Sequence, residues 1–236
     1  DNSKEEFDYI VAADGVYSRT KEILFKKEGI PKYFNSIALR GNIQNFENLD
    51  ISLYLGSNFH FVIYPINQNN EFNFISIVRK KLIDTEITNR SLFKDKSFIN
   101  NLMSQISSKS DLNLTELVNE VKCFPIFVSK KIKIPSNKNI FLMGDAFFSF
   151  PPSFAQGASQ SIESANDLFN DLNNNLSNYY KKRVLKTKQI NSRSSINHYA
   201  FHIANPVNVF FRNIFLKYLS KNKSFLENYL GKIYKN

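Results

Sequence analysis

Residues Asn139 to Gly157 read NIFLMGDAFFSFPPSFAQG, and a helical pattern starting ASQSIESA follows at once. That order leaves few folds open. Ile140, Phe141, Leu142 and Met143 form a short apolar run, as in a strand buried on both faces. Gly144 allows a turn where a side chain would clash. Asp145 then stands at the carboxyl end of a strand, where open α/β sheets bind ligands, and its carboxylate is suited to accept hydrogen bonds from ligand hydroxyls. Pro151 and Pro152 fix two φ angles and remove two donors, so the loop is stiff and is not an interior strand. Gly157 permits close backbone approach to a ligand. The helix beyond it aims unpaired N–H groups and its positive dipole end at the loop.

The helix is predicted from Ala158, Ile162, Ala165, Phe169, Leu172, Leu176 and Tyr179, which step by fours and threes. Such a stripe is expected to pack into a core. Asn173 to Asn175 interrupts it and is expected to divide it into two helices. A second strand-and-turn lies near the start of the chain, in FDYIVAADGVYSRTKEIL. Tyr9 to Ala13 reads as a short strand ending in Asp14-Gly15. Ser18 is placed to cap a helix beginning near Arg19, with Glu22 in its first turn. Taken alone, Asp-Gly after a strand is an ordinary turn.

Between these pieces the pattern is mostly β. Ser36–Ile43, Ile51–Leu55, His60–Tyr64 and Phe72–Arg79 read as strands, with Asn67 to Asn70 as a hairpin loop. Ser97 to Ser107 reads as a helix with Phe98, Leu102 and Ile106 on one side. Leu117–Phe124 and Phe127–Ile132 read as two further strands. His60, His198 and His202 are the only histidines. His198 and His202 fall on one helix face as a pair of metal ligands would, but no third ligand is apparent, so packed or solvated imidazoles are the expectation and no metal is assigned. Arg40 on a strand is a candidate for a carboxylate or a cofactor edge, or for a surface ion pair. Tyr64, before Pro65, either lines an aromatic pocket or belongs to the core.

A chain of 236 residues makes one large domain or two small ones. A single cysteine, Cys123, excludes an internal disulfide and a cysteine metal cluster, and points to a reducing, cytoplasmic compartment. There is no apolar run long enough to span a membrane and no signal peptide pattern. The net charge of +10 is concentrated: residues 179–236 hold 12 Lys and Arg against Glu227 alone. A basic end of this kind suits anionic lipid, nucleic acid or an anionic cofactor, although no nucleic-acid motif accompanies it. Val207, Phe210, Phe211, Ile214, Phe215 and Tyr218 form one face of an amphipathic helix. That face is expected to pack on the body of the protein, with peripheral docking on a membrane surface as the alternative.

With these residues in view, the chain resembles the FAD-dependent aromatic hydroxylases of the salicylate and p-hydroxybenzoate hydroxylase kind. Their Asp-Gly-x-x-Ser-x-x-Arg motif is similar to Asp14 to Lys21, with Lys21 in place of Arg. Their Gly-Asp-Ala-Ala-His…Pro…Gly-Gln-Gly motif resembles Gly144 to Phe148, Pro152 and Ala155-Gln156-Gly157, with Phe148 in place of His and Ala155 in place of Gly. IALRGNI, LYLGSNFHFVIYPI and HIANPVNVFFRNIFLKYL are similar to further parts of the salicylate hydroxylase branch. The family's Gly-x-Gly-x-x-Gly fingerprint is absent, since none of the seven glycines has that spacing. The chain is therefore expected to be a fragment without the N-terminal βαβ unit, and to hold FAD weakly if at all.

The resemblance implies an α/β fold with an α+β substrate part: a partial Rossmann-like FAD domain, an inserted antiparallel sheet and C-terminal helices. The implied divisions are 1–30 and 136–180 for the FAD domain, 31–135 for the substrate domain and 181–236 for the basic helices. It implies a monooxygenase that uses FAD, NADH or NADPH, and O2 to hydroxylate a small aromatic substrate. Asp14, Gly15, Lys21, Gly144, Asp145, Pro152, Gln156, Gly157 and Ala158 are the implied cofactor residues, and Arg40, Tyr64 and Phe148 the implied substrate pocket. No catalytic acid or base is identified. A ubiquinone-pathway hydroxylase, a non-oxygenating flavin reductase and a non-catalytic remnant are the competing readings.

Overall fold

The structure is a computed structural model, and it describes residues 4–47, 50–66, 70–174, 178–229 and 231–233. In chain order the first elements are β1 (Ile10–Ala12), α1 (Arg19–Phe25), β2 (Lys32–Gln44), β3 (Ser52–Gly56), β4 (Phe59–Pro65) and β5 (Glu71–Arg79). Then come α2 (Asp84–Thr88), α3 (Lys96–Ser107), α4 (Leu114–Leu117), β6 (Asn119–Val128) and β7 (Ile140–Leu142). The chain ends in α5 (Gly157–Asn174), α6 (Tyr179–Phe201), α7 (Pro206–Leu219) and α8 (Lys223–Tyr229). These elements fall into two compact units, Asp1–Lys32 with Phe127–Ser195, and Tyr33–Ile126 with Ile196–Asn236.

In the first unit β1 and β7 pair in parallel, with Ile10 opposite Ile140 and Ala12 opposite Leu142. The Met143 N–H continues the ladder to the Ala12 carbonyl at 2.9 Å. Among the described residues no strand lies on the far side of β7; two phenols from α6 occupy that flank. Tyr180 Oη accepts from the Leu142 N–H at 2.9 Å and donates to the Ile140 carbonyl, while Tyr179 Oη donates to the Leu142 carbonyl at 2.9 Å. Ala12, Leu142, Phe147 and Phe148 form the small core of this unit, with Leu24, Phe25, Ile132, Phe150, Tyr180 and Val184 packed around it.

The helix pattern after Gly157 is present, but its phase is not the one expected. Ile162, Phe169 and Leu172 are exposed, at 72, 66 and 38 %, and Leu168, Gln160, Ser164 and Asp171 are buried instead. The reason is a polar match with α6. Arg183 donates to Gln160 Oε1 at 2.7 Å and to Asp167 Oδ2 at 3.1 Å, and Ser164 Oγ meets Tyr179 Oη at 2.8 Å. Buried hydrogen-bonded charges, rather than an apolar stripe, set the inward face. Tyr179 is buried as expected, but on α6. Two separate helices are found, but Asn173 and Asn174 still belong to α5, and Asn175 and Leu176 lie outside the described residues.

The second unit is built on an antiparallel sheet in the order β3-β4-β5-β2-β6. The strands expected from alternation are found within a residue or two of their predicted starts, except that β2 begins earlier. The register aligns Ile37, Leu39 and Ile43 of β2 with Val78, Ser76 and Phe72 of β5, and Val78 and Ser76 in turn with Phe59 and Phe61 of β4. That face is the core, closed by Ile99, Leu102, Met103 and Ile106 of α3. Two strands were expected over 117–132, but there is one, β6, and residues 114–117 are helical. Pro125 lies within β6, which is tolerated because β6 ends the strand order and a lost N–H there breaks no interior ladder. Asn67 to Asn69 of the expected hairpin loop lie outside the described residues.

The apolar face of α7 is also turned the other way from expectation. Val207, Phe210, Phe211, Phe215 and Tyr218 are 61–73 % exposed, while Val209, Arg212 and Leu219 are half-buried. Arg212 reaches back to the Ala200 carbonyl and, with Val209 and Leu219, marks the inward side, while Asn205 caps the first turn. No helix among the described residues is long and apolar enough to cross a membrane.

Candidate functional site at the ends of the parallel strands

Asp14 and Asp145 leave the carboxyl ends of two adjacent parallel strands, β1 and β7. Asp14 Oδ2 accepts from the Thr20 N–H at 3.1 Å and the Thr20 hydroxyl at 3.3 Å, and Ser18 Oγ caps the helix at the Lys21 N–H. Burial pushes the Asp14 carboxyl up, but hydrogen bonds from Ser18 and Thr20 outweigh it and hold it below its ordinary value. Gly15 has a φ of +78°, which a side chain would strain. Part of the Asp-Gly motif is thus spent on shaping the turn and on holding α1.

Lys21 ties the two motifs together. It is 3 % exposed, and its Nζ donates to the Phe147 carbonyl at 2.7 Å and to Ser129 Oγ at 3.0 Å. Burial lowers its pKa to about 8, and the nearby Asp145 carboxylate opposes that shift. Asp145 is raised by its own burial and lowered in turn by Lys21. Lys21 is thus held by a carbonyl and a hydroxyl beneath the turn that carries Asp145, near enough for the two charges to influence each other.

Gly144 has a φ of +55°, and a Cβ there would stand 2.6 Å from Ser161 Oγ. Glycine is needed both for the backbone and for the seat of α5. Ala155 has a φ of +51°, so the left-handed conformation that suits a glycine is imposed on an alanine. Pro152 is exposed and its carbonyl closes the turn to the Ala155 N–H at 2.9 Å. Gln156 is buried, whereas Gly157 and Ala158 are exposed at the start of α5. Among the described residues, and apart from its chain neighbours and its own helix backbone, nothing lies within 4 Å of where a Gly157 Cβ would stand, and the first turn of α5 carries no acid. The open side of this helix end suits an electron-rich group.

Phe148 is 6 % exposed and packs with Phe147 and Phe150 in the core of the first unit. Arg40 and Tyr64 belong to the second unit and share one sheet face, since Arg40 pairs with Ile75, Asn73 pairs with Tyr64, and Asn73 and Ile75 point the same way along β5. Arg40 is exposed, 6.0 Å above the Phe124 ring, and Asn73 donates to Tyr64 Oη at 2.6 Å.

A profile of the FAD binding domain matches residues 3–197. The chain belongs to the FAD-binding-domain family. Its fold is that of the FAD-dependent aromatic hydroxylases. Klebsiella pneumoniae HpxO, solved with FAD and uric acid, superposes with a TM-score of 0.75 at 15% identity, over 98% of this chain and 61% of that one. A salicylate hydroxylase substrate complex gives 0.70 at 15% identity, over 90% and 60%. Pseudomonas aeruginosa PqsL, a probable FAD-dependent monooxygenase, gives 0.63 at 18% identity, over 88% and 59%. The chain thus spans about three fifths of the length of these proteins. No curated protein sequence matches it.

Sequence reasoning missed Ser129, Ser161 and the Tyr179-Tyr180 pair as supports of this site. Ser129 and Ser161 carry no local signal. Adjacent tyrosines opening a helix beside a buried strand are a usable clue to a strand edge closed by hydroxyls.

Proposed function

We propose that the chain supplies the ring-holding part of an FAD-dependent monooxygenase that hydroxylates a small aromatic compound. The observation that carries this reading is the parallel pairing of β1 and β7 with Asp14 and Asp145 at their adjacent ends, where Lys21, on the helix after Asp14, is bonded to the Phe147 carbonyl just beyond Asp145. The residues present fit the ring and sugar-alcohol portion of FAD. Asp145 accepts hydroxyl hydrogen bonds of the ribityl chain, and Pro152 flanks the ring. Gln156, Gly157 and Ala158 present the open helix start to the pyrimidine edge, where negative charge is favoured. Asp14 and Gly15 lie toward the pyrophosphate, and Lys21 positions the Asp145 turn. Bound FAD would supply hydride acceptance from NADH or NADPH and the activation of O2. On the substrate side, Arg40 offers a fork for a carboxylate, and Tyr64 and Asn73 offer polar contacts on the same sheet face. HpxO and salicylate hydroxylase, solved with uric acid and with substrate, support a small aromatic substrate.

Flavin fluorescence quenching tests the reading. Because the glycine fingerprint for the adenosine pyrophosphate is missing, riboflavin, FMN and FAD should quench with similar, weak affinities. Asp145→Ala should weaken all three by about tenfold or more, as loss of a charge-assisted hydrogen bond does. No saturable quenching by any of the three would remove the proposal. NAD(P)H oxidation without oxygen insertion would instead favour the reductase reading, and Lys21, Phe148 and Ala155, all departures from the family pattern, favour a non-catalytic remnant if neither occurs.

A further inference from the structure

We propose that a cleft in the second unit binds a small organic dianion, a phosphomonoester or a dicarboxylate. The cleft has a volume of about 590 Å³ and lies where β5 ends beside α3. Arg79, Lys81 and Lys109 line it, and no acidic side chain does. Among the described residues none of these three cations takes part in an ion pair. A single exposed lysine is normally just solvated. Three like charges converging on one concavity, from a strand, a loop and a helix end, focus a positive potential there.

The floor is polar and built into the fold. Ser36 is fully buried and His198 is 6 % exposed; both line the cleft, with Ser36 Oγ 3.5 Å from His198 Nε2. Phe34 forms an apolar wall, its ring 4.7 Å from that of His198. The Arg79 fork is matched to two oxygens of a phosphate or carboxylate, and the lysines supply point charges. The space exceeds that of a bare inorganic anion and falls within the range of about 300–1,000 Å³ usual for small-molecule sites. An anion with an apolar part that lies on Phe34 fills it.

His198 is also the outer member of a chain of imidazoles. Its Nε2 is 3.2 Å from His202 Nδ1, and His202 Nε2 is 2.9 Å from His60 Nδ1 and 3.1 Å from the Ile77 carbonyl. With the His198 Nε2–H donating to His202 Nδ1, the His202 Nε2–H is shared between His60 Nδ1 and the Ile77 carbonyl. His202 uses both ring nitrogens, so the three do not converge on one metal, and no group among the described residues can hold one. The chain of rings makes His198 a reporter of the cleft that is independent of any flavin.

The test uses the whole chain and its three histidines, whose imidazole C–H resonances are resolvable by NMR. Inorganic phosphate, phenyl phosphate and succinate are titrated at constant pH and constant ionic strength. A saturable shift at His198, tighter for phenyl phosphate than for phosphate, is expected. A response confined to the phosphates or to succinate assigns the source of the dianion and supports the site. Arg79→Gln and Lys109→Gln, exposed positions on different elements, should each weaken binding by about tenfold. Lys188→Gln, outside the cleft, should not. Absence of saturation with all three probes, unchanged affinity in both cleft variants, or equal weakening by Lys188→Gln overturns the proposal.

Discussion

Single residues in this protein carry strain and burial that can be measured. Ala155 holds a φ of +51° in the loop before α5. Relief of the left-handed clash outweighs the entropy that glycine adds to the unfolded chain, so Ala155→Gly should stabilise by about 1 kcal/mol in urea unfolding. Lys21 gives a second case. Its folded pKa of about 8 lies below the ordinary lysine value of 10.5 because burial disfavours its charge. The unfolded chain therefore binds the extra proton between those values, and stability rises with pH across that window. The contribution is fully present above pH 10.5 and is lost as the pH falls through 8. Relative to Lys21→Met, the wild type should gain up to about 3 kcal/mol between pH 8 and 10.5, by denaturant titration at each pH. A difference that stays flat with pH would mean that Lys21 is not desolvated as described.

At the scale of elements, helix phase and the histidine chain are the features to test. The buried side of α5 is set by Leu168 and by polar contacts to Arg183. Leu168→Ala should cost about 2–4 kcal/mol, while Ile162→Ser with Phe169→Ser should cost less than about 0.5 kcal/mol, in thermal unfolding. The reverse ranking would restore the phase read from periodicity. The end of α6 is held to the sheet by His60, His198 and His202, which are lowered to about 3, 3 and 4 by burial first, then by His202 acting on His60 and His198 and by Arg79 acting on His198 and His202. Unfolding lets all three take up protons below their ordinary value of 6.5. Stability is therefore present above pH 6.5 and falls toward pH 4, by up to about 4 kcal/mol per pH unit when all three contribute. Replacing His60 by Gln should flatten that slope by about one third, since one of three protons is removed from the balance.

For the whole molecule, legibility from sequence followed the kind of force involved. The antiparallel sheet was readable because one face is buried along its length and the other only in part, around Ser36, His60 and Ile77, which prints alternation into much of β2, β4 and β5. The strand-turn pieces around Asp14 and Asp145 were readable because a short apolar run followed by a turn glycine constrains the backbone locally, although only the run before Asp145 is buried and Ile10 and Val11 before Asp14 are exposed. The inward face of α5 was not, since a buried Arg183 with Gln160 and Asp167 looks like solvent-facing polarity until its partners are placed. The third histidine of the chain was not found either, because His60 and His202 are 142 positions apart. The outward aromatic side of α7 reversed a sound expectation, since periodicity tells that a helix has two sides but not which one meets the protein.

The phenols along β7 carry a further consequence. Exchanging both tyrosines for phenylalanine would keep the rings and strip the hydroxyls, leaving an amide hydrogen and two carbonyl oxygens along that margin without counterparts. Leu142 is fully buried, so these three backbone groups would stay out of water and unpaired, and the double exchange should cost about 1–3 kcal/mol for each of them.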